Sequence, residues 1–253
     1  SLRQWRCRFS EELTEVEIRP GDYHFSEKLD ADQLKDGWMP FGACETWGGR
    51  DRHFWFRTKV VIRKEWAGKE VRVTLNTGAD DIWNTDNPQI MAYKNGILSG
   101  TMDMNHQDLI LAEEAEEAEV FELVFYAYSN SENPTNFFHL KAAVYDREIA
   151  DLYYDLKVPF EAAELCSEED LDRIEAMKFL NTAISGLDLR KPGSEEFYQS
   201  VREVREYVKK NLPDICRSSR VTVHSIGHTH IDVAWYEASD EDIVIEGDKN
   251  RIF

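Results

Sequence analysis

A change of hydrophobic period near residue 146 constrains the fold more than any other feature. Between about 54 and 145 apolar residues recur every second position, the signature of a strand with one buried face. Phe54, Phe56, Thr58, Val60 and Ile62 alternate with Trp55, Arg57, Lys59 and Val61, and Val71, Val73 and Leu75 alternate with Arg72 and Thr74. Phe121, Leu123, Phe125 and Ala127 repeat the pattern, as do Phe138, Leu140, Ala142 and Val144. Asn95-Gly96 follows the run 90–94, and both residues tolerate positive φ, so a hairpin is expected there. Short strands joined by Gly, Asn, Asp and Pro turns predict an antiparallel sandwich.

Beyond 146 the period becomes helical. Ile149, Leu152, Tyr153, Leu156 and Phe160 share a face, with Pro159 expected to kink or break the helix. Ser167 and Asp170 read as a capping box before a stripe of Leu171, Ile174, Met177, Leu180, Ile184 and Leu187. Ser194 opens a third helix lined by Phe197, Val201, Val204 and Val208, with Lys209 and Lys210 in its last turn and Pro213 at its end. One more strand, Val221–Ile226, then runs into Gly227 and His228-Thr229-His230-Ile231-Asp232. A strand leading through a glycine turn into ligand-type residues is how α/β barrels begin their active sites. The expected organisation is a sandwich over 1–146, a helical connector over 147–217 and the start of a barrel over 218–253.

Charge narrows the function classes. The formal net charge of −19 excludes a sequence-independent grip on nucleic acid and argues against docking on anionic membranes. No apolar run approaches the roughly 20 residues that span a bilayer, and the first residues carry no signal-type apolar stretch. Cys7, Cys44, Cys166 and Cys216 are scattered without metal-site spacing and are expected as buried, reduced thiols of a cytoplasmic protein. The acidic run 113–119 lacks the interspersed Asp, Asn and Gly of a calcium loop and reads as solvated.

His230 and Asp232 are two residues apart, so in an extended segment they project to the same side and can converge on one metal ion. His228 has the same parity and can join or support them. The string SIGHTHIDVAW, Ser225–Trp235, resembles the start of the catalytic domain of the glycoside hydrolase family 38 zinc-dependent α-mannosidases. Upstream, Pro40-Phe41-Gly42, Trp47–Arg57, Glu65–Lys69, Tyr93–Gly96, Asn105-His106 and Asp151–Leu156 are similar to the front sandwich and first helix of cytosolic and bacterial members.

That resemblance implies a galactose-binding-like sandwich, His230 and Asp232 as zinc ligands, Trp235 as a wall of the mannose pocket, and hydrolysis of terminal α-mannosides with retention. It assigns no residue here to the nucleophile, the general acid/base or the remaining zinc donors. Asp240, Asp242 and Asp248 lie in an acidic tail that departs from the family. The chain is therefore expected to be a fragment that neither hydrolyses mannosides nor retains zinc alone. The alternative is a non-catalytic module for carbohydrate contact or assembly, with a homo-oligomer among its forms. Trp38, Trp47, Trp55 and Trp83 are candidate sugar platforms, but strand aromatics more often pack a core or an interface.

Overall fold

A computed structural model describes residues 2–22, 24–30, 34–78 and 87–215. The strand expectation holds. All pairings between the strands are antiparallel, and the strands form two sheets. The smaller has the order β1 (Cys7–Leu13), β10 (His139–Tyr145), β5 (Val71–Asn76), β8 (Asp108–Ala112). The larger has the order β3 (Met39–Phe41), β2 (Val16–Gly21), β4 (Arg52–Val61), β9 (Val120–Ser129), β6 (Gln89–Lys94), β7 (Ile97–Met102). Asn95 and Gly96 have φ of 52° and 79°, as a two-residue hairpin between β6 and β7 requires.

Register places like faces together. Phe56 lies opposite Phe125 and Val60 opposite Phe121 on the inner face, and Trp55 lies opposite Tyr126 on the outer face. The inner faces of both sheets close on one core that contains Phe56, Leu123, Phe125, Val73, Leu140 and Ala142. Phe56 stacks on Phe138 with ring centroids 3.8 Å apart.

Trp47 also belongs to this core and is 2% exposed. Its backbone exchanges two hydrogen bonds with Asn136, at 2.9 and 3.1 Å, and its indole Nε1 donates to the Phe137 carbonyl at 3.0 Å. Gly48 follows at φ 125°, and a Cβ there would lie 2.9 Å from both Asn136 Nδ2 and Ser129 Oγ. The Trp-Gly-Gly turn therefore aims its indole inward, and only glycine fits the next position.

Three longer helices follow: α2 (Arg147–Glu164), α3 (Leu171–Ser185) and α4 (Glu195–Ile215). Asp146 caps α2 by accepting from Ile149 N at 3.2 Å, and Ser194 Oγ accepts from Phe197 N at 3.2 Å at the start of α4. Their core joins Ile149, Leu152, Leu156, Phe179, Leu180, Phe197, Val201, Val204 and Val208. The short helix α1 (Leu2–Trp5) packs Leu2 and Trp5 against it, Trp5 meeting Phe197 edge-on at 5.6 Å.

Several helix details differ from expectation. Pro159 lies inside α2 without ending it, and Phe160 is 39% exposed because the packed face passes from Leu156 to Ala163. Asp170, not Ser167, caps α3, since its own carboxylate reaches Asp172 N at 2.9 Å. The α3 stripe is rotated: Phe179, Leu180 and Ala183 face the core, whereas Leu171, Ile174 and Ile184 are exposed. Pro213 lies inside α4, which runs on to Ile215, so Lys209 and Lys210 are not in its last turn. Cys7 and Cys44 are exposed, not buried: one starts an edge strand and the other sits in the turn after β3. The expected strand Val221–Ile226, the barrel start and Cys216 lie outside the described residues.

Candidate functional site

Strand alternation normally leaves the outer face of a sandwich to solvent. Here the outer face of the larger sheet carries Trp55, Tyr93 and Tyr126, which form a second apolar cluster covered by Leu29, Leu34 and Trp38. The covering segment is held by Leu29 N donating to the Gly96 carbonyl at 2.9 Å and Leu98 N donating to the Glu27 carbonyl at 2.8 Å. Tyr93 Oη donates to the Ser26 carbonyl at 2.8 Å, and His24 N donates to Tyr126 Oη at 3.1 Å. Gly21 is required beneath this layer, because a Cβ there would lie 2.7 Å from Trp55 Cδ1. Burial pushes the His24 imidazole below and the Tyr93 phenol above their ordinary pKa values.

A cleft of about 860 Å³ opens beside this cluster. Trp38 forms part of its wall, with Nε1 donating to the Leu34 carbonyl at 2.7 Å and the Arg57 guanidinium 4.4 Å from the ring centroid. Arg57 is paired with Glu17, and its hydrogen bond holds that carboxyl below the usual range. Lys59 is paired with Glu122 at 2.8 Å, and all four charged side chains line the same cleft.

A second cleft, of about 730 Å³, lies where β1 and β10 meet the helices. Tyr198 Oη donates to Asp146 Oδ2 and accepts from Arg8 Nη1, so one phenol ties α4 to the α2 cap and to β1. Glu70, 7% exposed, accepts from both Arg72 and Arg147. Burial first, and then the Asp146 carboxylate, push the Tyr198 phenol up to about 12. The fold thus prefers neutral Tyr198. This contribution is complete below the ordinary phenol value of 10.0 and is lost as pH rises toward 12. Melting temperatures measured from neutral pH upward should fall more steeply above about pH 10 in the wild type than in Tyr198→Phe. Near pH 7 the same variant should lose about 1–2 kcal/mol. Parallel curves above pH 10 would contradict this assignment.

The residues singled out in the sequence divide clearly. Trp47 and Trp55 are buried, as strand aromatics usually are, and Trp38 is half-buried in a cleft wall. Trp83, His228, His230, Asp232 and Trp235 lie outside the described residues. Glu17, Arg57, Lys59 and Glu122 were not singled out. Arg57 and Lys59 were nevertheless legible as the polar half of the β4 alternation. Among the described residues no group of three or more His, Cys, Asp or Glu side chains is placed to hold a metal ion. Among the same residues no helix is long and apolar enough to cross a membrane.

No family model matches the chain. Solved structures similar to it include Bacteroides uniformis β-glucuronidase 2 (TM-score 0.38, 11% identity, 53% of this chain and 18% of that one). Another is a glycosyl hydrolase family 2 member from Bacteroides cellulosilyticus (TM-score 0.36, 14% identity, 53% and 20%). A Ruminococcus gnavus β-glucuronidase aligns at TM-score 0.35 and 8% identity, over 54% and 29%. Among curated proteins, mouse alpha-mannosidase 2C1 is 24% identical over 199 residues, covering 72% of this chain and 18% of the relative. The resemblance to family 38 α-mannosidases is thus carried by a curated mannosidase along most of this chain, which spans less than a fifth of that relative's length.

Proposed function

We propose that this chain is the sandwich, connector and first catalytic strand of a zinc-dependent retaining α-mannosidase acting on terminal α-mannosides. The observation that carries the reading is the string Ser225–Trp235, with the similarity to a curated mannosidase in support. The donor chemistry fits zinc, since an imidazole and a carboxylate two residues apart are both ordinary zinc ligands. His230 and Asp232 would hold the ion, and His228 would orient or supplement them. Bound zinc supplies a fixed positive charge for sugar hydroxyls. By the same resemblance Trp235 would offer an aromatic face to the C–H side of a pyranose. Retention also needs a nucleophile and an acid/base carboxyl roughly 5 Å apart. By resemblance neither is assigned in this chain, so hydrolysis is not expected of it alone. Exposed Cys7 and Cys44 suit a reducing compartment, and a cytoplasmic location belongs to the same proposal.

Two donors on one segment fall short of the roughly three protein ligands of a catalytic zinc site. After zinc loading and dialysis, metal analysis should find well under one zinc per chain. An aryl α-mannoside should remain uncleaved with zinc or cobalt added. Turnover that disappears in both His230→Ala and Asp232→Ala would overturn the claim that the chain is incomplete.

A further inference from the structure

We propose that the cleft beside Trp38 is a binding site for a neutral pyranoside. Its volume of about 860 Å³ falls in the range of roughly 300–1,000 Å³ usual for small-ligand pockets. Trp38 is held on two sides, by the Leu34 carbonyl and by the Arg57 guanidinium, so little side-chain entropy remains to be lost on binding. The Arg57 guanidinium lies over the indole and the Trp55–Tyr93–Tyr126 cluster packs against it, so the C–H groups of a sugar ring would meet the part of Trp38 left exposed in the cleft wall.

The polar lining selects the ligand class. Arg57 with Glu17 and Lys59 with Glu122 set donors beside acceptors within one cleft. A hydroxyl both donates and accepts, so a polyhydroxylated ring can use both members of each pair. With Glu15, three carboxylates stand against two cations in the lining, which disfavours phosphate, sulfate or a uronate. The lining residues named here do not include His230 or Asp232. Only the choice of mannose as first sugar rests on the mannosidase reading.

The test is titration of the full chain with methyl α-mannoside, methyl β-galactoside and methyl β-glucoside to about 20 mM, followed by amide and indole NMR shifts. Saturable shifts of the Trp38 indole N–H and the Arg57, Lys59 and Glu122 amides are expected with at least one sugar. The Arg57, Lys59 and Glu122 amide shifts should vanish in Trp38→Ala. In Lys59→Gln/Glu122→Gln, whose parent side chains are 67% and 63% exposed, affinity should fall about tenfold at unchanged melting temperature. This second variant decides the matter if Trp38→Ala fails to fold. Absence of saturable shifts at Trp38 with all three sugars, or an affinity unchanged in Lys59→Gln/Glu122→Gln, overturns the site. Either outcome leaves the zinc donors untouched, so failure here is distinguishable from failure of the mannosidase reading.

Discussion

Trp47→Ala should cost about 3–5 kcal/mol of stability, the range for removing a large aromatic from a packed core. The indole is 2% exposed and lies 5.7 Å from the Phe54 ring and 5.3 Å from the Phe56 ring, between centroids. Removing it opens a cavity that the paired strands on either side cannot close. It also leaves the Phe137 carbonyl without its indole donor. At about 2–4 °C per kcal/mol for a domain of this size, the melting temperature should drop by at least about 6 °C. Trp47→Phe should recover part of the loss, because it refills volume without restoring the hydrogen bond. Thermal melts of both variants provide the check, and an unchanged melting temperature for Trp47→Ala would mean that the indole faces solvent.

Asp146→Ala should cost about 2–4 kcal/mol, more than loss of an ordinary helix cap at about 1 kcal/mol. Its carboxylate caps Ile149 N, accepts from Tyr198 and lies 3.7 Å from Arg8, with the side chain 11% exposed. Alanine removes the cap, leaves the Tyr198 phenol without its acceptor and takes a counter-charge from Arg8. Asp146→Asn keeps the capping oxygen and should recover about 1 kcal/mol. A double-mutant cycle with Tyr198→Phe should show coupling of at least about 0.5 kcal/mol. Additive effects would mean that the cap and the phenol act independently.

Much of this fold was legible because the inner faces of the strands obey period 2 without interruption. From Phe56 to Ile62 and from Phe121 to Phe125 the parity read in the sequence is the parity of burial. Strand β1 was not read as one: Cys7, Phe9 and Leu13 share a parity that Glu11 interrupts, a register shift between Arg8 and Glu11 leaves Cys7 and Phe9 exposed, and the strand forms by pairing with the open edge of β10. Parity also misassigned the outer face of the larger sheet. Trp55, Tyr93 and Tyr126 occupy positions that alternation gives to solvent, and only the segment carrying Leu29, Leu34 and Trp38 buries them.

In α3, apolar residues lie on two sides of the helix, so spacing alone could not choose the buried one. The long-range ties of the two clefts were illegible for a related reason. Asp146 was not singled out in the sequence, and its meeting with Tyr198, 52 positions later, is a product of packing. The outward charges of β4 follow from alternation. The meeting of Arg57 with Trp38 does not, because Trp38 precedes β3 and is distant from β4 in sequence.

The central claim, that His230 and Asp232 are metal donors of an α-mannosidase-type site, is tested most directly by paramagnetic mapping. Co²⁺ titrated into the isotopically labelled chain should broaden, in a saturable way at roughly millimolar metal, the resonances of His228 through Trp235. His230→Ala combined with Asp232→Ala should abolish that broadening while the amide spectrum of residues 2–215 stays unchanged. Broadening centred on the acidic run 113–119, or broadening near His230 that survives the double substitution, would contradict the account.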